Sequence, residues 1–209
     1  MSSDKAVDQS NKTVDIYFHK ADGLDIKRND RNLYHVNIHG RATNPSLTIY
    51  GGYDAHDPQL ATARFQLAEE DFQILIGSQY NESKDSWSTV RCASDGKLLS
   101  SPYYRFEAKQ SGSARKMFWQ KTHDSSLGSS LLAIRDFKLV AEESEAVVAV
   151  YNESSGSWTK RVTTLKGKIA FKEDLGEEAE PTAILVLLTI LFKTNEDWKN
   201  IARTLIWHN

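Results

Sequence analysis

Ala183-Ile-Leu-Val-Leu-Leu-Thr-Ile-Leu-Phe192 decides how the rest of the chain is read. Nine of its ten residues are apolar and none is charged. Wound as a helix, the segment is apolar on every side, and such a helix must be surrounded. Ten residues of helix span only ~15 Å, whereas a bilayer core needs roughly 20 residues. The length therefore speaks against a membrane span, and protein is what remains to surround it. Pro181 suits the first turn of such a helix. Glu177, Glu178 and Glu180 suit the positive end of its dipole. The sequence predicts a buried helix over Pro181–Lys193.

Upstream, short apolar stretches alternate with period two, the signature of strands with one buried face. They are Val14–Phe18, Leu33–His39, Leu47–Tyr50, Ala61–Leu67, Phe72–Ile76, Trp87–Cys92, Pro102–Ala108 and Lys116–Thr122. Asp136–Ala141 and Ala146–Tyr151 read as a hairpin joined by the acidic turn Glu142–Glu145. Trp158–Thr164 and Gly167–Lys172 read as the last two strands. Ala21–Leu24 and Arg28–Asn32 read as turns. No amphipathic helix falls between the strands, which excludes an alternating α/β fold and leaves a barrel or a sandwich. A barrel of roughly ten to twelve strands has an interior that needs filling, and the apolar helix can fill it.

The expected fold is therefore mainly β. A closed antiparallel barrel of about twelve strands surrounds a buried hydrophobic C-terminal helix. Residues 1–13 are a polar, disordered tail, 14–194 form the barrel with its helix, and 195–209 form a short amphipathic helix. Asn195 is the N-cap of that last helix, and Trp198, Ile201, Ala202 and Leu205 share one face, so it is expected outside the barrel.

The 209 residues suit one domain, and 40% apolar with 26% charged residues is ordinary for a soluble protein. A net charge of −2 supplies no bulk attraction for nucleic acid or an acidic membrane. The single cysteine, Cys92, cannot close an internal disulfide, which fits a reducing compartment. Met1 opens a polar stretch with no secretory pattern, so the sequons at Asn11, Asn81 and Asn152 are taken as chance. The expected location is cytoplasmic, with peripheral membrane or nuclear association open.

Several segments carry a resemblance. Trp119-Gln-Lys-Thr-His-Asp124 and Arg135-Asp-Phe-Lys-Leu-Val140 are followed by Val148–Tyr151, Gly167–Lys172 and the terminal Ala183–Phe192 run. In these the chain resembles the fungal tubby C-terminal-like proteins, relatives in fold of tubby, the phospholipid scramblases and the plant LURP-one-related proteins. The resemblance covers about Val14 to Lys193. It implies a closed barrel of about twelve strands around a hydrophobic C-terminal helix. It implies little about activity, because the superfamily hosts unlike ones. The chain departs from the pattern by continuing about fifteen residues past the helix. It also lacks the cysteine clusters of scramblases, which argues against that role.

No constellation for catalysis or metal binding emerges. His35 and His39 share a strand face but sit ~13 Å apart, too far to chelate one metal. His123-Asp124 reads as a loop pair with local hydrogen bonds, and His19, His56 and His208 have no metal-ligand spacing. Cys92 reads as a small buried apolar residue. There is no nucleophile elbow and no glycine-rich phosphate loop. The basic clusters are Lys27-Arg28 with Arg31, Arg115-Lys116 with Lys121, and Lys160-Arg161. If they converge, they form an anion site. In tubby, clustered basic residues bind phosphoinositide headgroups. A filled interior argues against a large internal ligand cavity, so the expected function is a non-enzymatic binding module without cofactors, recognising anionic lipid headgroups or a protein partner. The alternative is a small-ligand carrier or an enzyme working at one mouth of the barrel.

Overall fold

The alternation closes into a ring. The computed structural model describes residues 12–18, 23–39, 46–65, 69–77, 87–94, 101–128, 136–154 and 165–194. Within them the strands are β1 (Thr13–Phe18), β2 (Gly23–Arg28), β3 (Arg31–Ile38), β4 (Leu47–Tyr50), β5 (Gln59–Arg64) and β6 (Phe72–Ile76). There follow β7 (Ser88–Ala93), β8 (Tyr103–Gln110), β9 (Ser113–Lys121), β10 (Phe137–Ala141), β11 (Val147–Glu153) and β12 (Leu165–Phe171). One helix, α1 (Gly176–Thr194), comes after them. The strands form a closed antiparallel barrel in which each pairs with its sequence neighbours, and β1 closes on β12 with Val14 opposite Ile169. This is the barrel-and-helix architecture expected from the sequence.

Inward positions are apolar all round the ring: Ile16, Leu24, Val36, Ile49, Val90, Trp119 and Leu139 have no exposed surface. They meet α1, in which every residue from Ala183 to Ile190 is fully buried. Burying a large apolar side chain gains ~1.5–3 kcal/mol, so this run contributes on the order of 10 kcal/mol before conformational entropy is subtracted. Its polar members are satisfied locally: Thr189 donates to the Leu185 carbonyl at 2.8 Å. The helix packs chiefly on β4, β5, β6 and β8. The inward residues of β5 are Ala61 and Ala63, and Ala108 faces inward on β8, so the helix backbone can approach that arc. The other arc is filled by Trp119, Phe137, Leu139 and Tyr151. Trp119 donates its indole N–H to the Ala183 carbonyl at 3.0 Å. Gly167 makes room for the Tyr151 ring, which a Cβ there would meet at 2.4 Å.

The structure corrects the sequence expectation at three places. First, Gly23–Arg28 is a strand, where turns were expected on both sides of Asp25. Leu24 and Ile26 point inward, and the real turn is only Asn29-Asp30, with φ of 51° and 62°. Two residues of positive φ match the strand twist in a tight hairpin, and Asn and Asp tolerate that conformation. Second, the helix begins at Gly176, and Pro181 lies inside it. The Asp174 carboxylate accepts the Gly176 N–H at 2.8 Å, so the helix is capped five residues earlier than proline's preference suggested. Pro181 costs one helical hydrogen bond near the N-terminal end, and burial of Ala179 and Glu180 outweighs that preference. Third, Cys92 packs against the core but is only half-buried. The expected strand Trp158–Thr164, the tail 1–11 and the amphipathic helix 195–209 lie outside the described residues.

Antiparallel alternation gives the barrel two distinct ends. The end at which α1 starts also carries the β2–β3, β8–β9 and β10–β11 turns. At the opposite end Lys193 closes the helix, donating to the carbonyls of Glu69, Glu70 and Asp71 at 2.7, 2.7 and 3.0 Å.

Candidate functional site

The sequence-predicted cations divide when placed on the ring. Lys27, Arg28 and Arg31 belong to β2 and β3, whereas Arg115 and Lys116 belong to β9. β1, β12, β11 and β10 lie between β2 and β9, so the two clusters occupy opposite sides of the barrel. Lys160 and Arg161 fall outside the described residues.

Two of these arginines are engaged by the acidic segment that leads into the helix. Arg28 Nη2 donates to Glu180 Oε2 at 2.8 Å, and the Tyr34 hydroxyl donates to Glu180 Oε1 at 2.9 Å. Burial, with the Glu180 charge beside it, pushes the Tyr34 phenol well above its ordinary value of 10.0. Arg115 donates to both Glu173 and Gln110. Gln110 also donates to the Asp174 carbonyl at 2.6 Å, and the Lys109 N–H donates to Glu178 at 3.2 Å. Arg28 and Arg115 therefore lock the start of the helix to two sides of the mouth. Lys27 lies over the Tyr17 ring, 5.1 Å from its centre. Arg31 is exposed at the start of β3.

His19 and His208 lie outside the described residues. His35 Nδ1 lies 3.3 Å from Asp25, and His39 Nε2 lies 3.2 Å from the Thr48 hydroxyl. Asp124 caps the single-turn 3-10 helix Ser125–Leu127, accepting from the Ser126 N–H and hydroxyl at 2.9 and 2.6 Å. Those bonds hold its carboxyl below the usual value. Burial pushes the Cys92 thiol up, which disfavours the nucleophilic thiolate. Among the described residues no group of three His, Cys, Asp or Glu is placed to hold a metal.

A groove of about 830 Å³ on the outer wall of β6–β9, reaching the start of the helix, has room for a ligand. Arg91, Arg105, Lys109 and Lys116 line it, together with Glu107, Glu142 and Glu178. All four cations point outward and are exposed. Arg91 stands directly opposite Arg105, and Glu107 opposite Lys116. Of the residues expected from sequence, Lys116 alone belongs to the groove; Arg91, Arg105 and Lys109 were missed. The alternation Arg105-x-Glu107-x-Lys109 marks an outward charged face, but the register that brings Arg91 beside Arg105 is a product of the fold. Arrayed this way, the groove can bind an oxyanion through charge-assisted hydrogen bonds.

No family model and no curated protein matches the sequence. Among solved structures, the chain is similar to an X-ray structure of a protein from Arabidopsis thaliana. The two share 12% identity over 85% of this chain and 90% of that one, with a TM-score of 0.45.

Proposed function

We propose that this chain is a non-enzymatic binding module of the tubby-like superfamily, and that it takes an anionic lipid headgroup, such as a phosphoinositide, on the outer wall of its barrel. One observation carries the proposal: the helix fills the interior, with no exposed surface from Ala183 to Ile190, so a ligand is confined to the outside. The superfamily resemblance supplies the ligand class, and the outer groove supplies the cations. No helix among the described residues is long and apolar enough to cross a membrane. In this reading the module works peripherally, at the cytoplasmic face of a membrane. Surface contacts of this kind are screened over ~8–10 Å at physiological salt, and binding is weak and salt-sensitive.

The test is sedimentation with phosphatidylcholine vesicles, with and without a phosphoinositide, at low and high salt. Wild-type protein is expected to sediment only with the phosphoinositide vesicles, and less at high salt. Lys109→Gln with Lys116→Gln abolishes this while the thermal midpoint stays put. Arg115 is unsuited to that experiment, because its reversal would break the tie to Glu173. Wild-type protein that ignores anionic vesicles even at low salt sinks lipid binding.

A further inference from the structure

The outer wall of the barrel is not uniform. On β8 the outward residues Arg105, Glu107 and Lys109 are exposed and the inward ones are buried, the alternation of a sheet with one wet face. Strands β4 and β5 break that alternation. Leu47, Thr48 and Ile49 are all buried, and so are Ala61, Thr62 and Ala63. On the inner face Ile49 stands opposite Ala61, and Leu47 opposite Ala63. The alternate residues form an outer row, Asn37–Thr48–Thr62–Leu75, each opposite the next across β3, β4, β5 and β6. Thr48, Thr62 and Leu75 are only 1%, 0% and 3% exposed, although they point away from the core. In the adjacent row His35, opposite Tyr50, is buried too, and burial pushes the Tyr50 phenol up. The Thr62 hydroxyl donates to Thr48 Oγ1 at 3.4 Å, so an apolar cover leaves it with a partner. Strands buried on both faces are what such runs as Ile74-Leu75-Ile76 signal.

Something covers this wall. The described elements packed on β4 and β5 are each other, β3, β6 and α1, and α1 lies inside. The β4–β5 loop is exposed over Tyr53–His56 and tied to itself, Asp57 accepting the Asp54 N–H at 3.1 Å. Three stretches outside the described residues join β3 through β7, and all are poor in large apolar side chains. Residues 40–45 have none, 66–68 have Leu67 and 78–86 have Tyr80. Residues 195–209 are rich in them, with Trp198, Ile201, Leu205, Ile206 and Trp207. They also start at this wall. Lys193 ties the end of α1 to the Glu69, Glu70 and Asp71 carbonyls, in the connection between β5 and β6.

We propose that residues 195–209 dock as a strap on the outer row Thr48–Thr62–Leu75, with Trp198, Ile201 and Leu205 against it. As a helix these fifteen residues reach ~22 Å. The row from Asn37 to Leu75 crosses three strand spacings, ~14 Å, so the segment is long enough to cover it. Strands β4 and β5 then lie between α1 and the strap, which accounts for their lack of a polar face. The groove's cations stand on β7, β8 and β9, clear of the row, so the strap does not depend on an anion binding there.

Thiol labelling reads the cover directly. Thr62→Cys is placed in the full chain carrying Cys92→Ser, with Lys168→Cys in the same background as an exposed control. Thr62→Cys is expected to react with a maleimide roughly 100-fold more slowly than the control, because a covered thiol reacts only through local opening. Adding Ile201→Asp with Leu205→Asp places charges in the docked face and should bring most of that rate back. A second measurement needs no disruptive change: benzoylphenylalanine in place of Trp198 is photo-activated in the full chain. Mass spectrometry should find it joined to β4, β5 or β6, and within one chain when isotopically light and heavy protein are mixed. A Thr62→Cys thiol as reactive as the control overturns the strap. So does a labelling rate that stays slow in a folded Ile201→Asp, Leu205→Asp protein. Crosslinks to β9–β12 also overturn it, and crosslinks between chains would give the wall to a second copy instead.

Discussion

Arg28 and Arg105 each meet a glutamate, at 2.8 and 3.1 Å, but in different surroundings. At the mouth the two side chains are 26% and 10% exposed, and in the groove they are 46% and 32% exposed. An exposed pair is worth about 0–1 kcal/mol, because water competes for both partners. A buried pair is costly to break, because the survivor is left charged and desolvated. The mouth pair is therefore committed to structure, and the groove pair keeps capacity for another anion. A basic residue in a sequence says nothing about function until its surroundings are known.

The largest effect expected from challenging this contrast is at the interior that the mouth encloses. Leu187→Asp buries a charge with no partner and costs several kcal/mol. It should yield insoluble or unfolded protein by circular dichroism, and a well-folded variant would overturn the filled-barrel account. Next comes the latch. Arg28→Ala leaves Glu180 buried without its cation and should lower the unfolding free energy by about 1–3 kcal/mol in chemical denaturation. A cost below that range would place the mouth pair with the groove pair.

Tyr34 sharpens the comparison through pH. Its phenol, like that of Tyr104, is raised above the ordinary 10.0, burial being the main cause. A group raised in the folded state contributes stability that is fully present below its unfolded value and is lost as pH climbs through that value toward the folded one. Stability should therefore fall above pH ~10. Tyr34→Phe should flatten that fall, as measured by urea midpoints across the alkaline range. An unchanged slope would remove Tyr34 from the latch. The smallest effect belongs to the groove: Arg91→Ala should move stability by no more than about 0.5 kcal/mol, because a surface cation is being removed from a like-charged neighbour. A clear loss in thermal midpoint would show that Arg91 has a structural role.

The helix and most strands were legible because their signals are local. Ala183–Phe192 is apolar all round, and alternation within each strand reports a buried face without knowledge of its neighbours. Strand β2 was hidden because Gly23, Asn29 and Asp30 bracket it with turn residues and only Leu24 and Ile26 face inward. The site was hidden for a different reason. Arg28 and Glu180 are 152 residues apart in the chain, and Arg115 and Glu173 are 58 apart. No local pattern tells which cation a distant carboxylate will claim. The register of Arg91 against Arg105 depends on the pairing of β7 with β8, which is fixed by their burial patterns acting together.

The closure of β1 on β12 bears on how the molecule comes to exist. The first strand waits for the last, and the segment that plugs the ring is made after both. Until α1 is synthesised, the inward faces of β4, β5, β6 and β8 lack the helix they pack against. Neighbouring hairpins can form early, but ring closure spans the length of the barrel, and such long-range pairing is slow and exposed to aggregation. Folding of the barrel therefore waits on the synthesis of α1, and a growing chain of this kind exposes apolar strands until then.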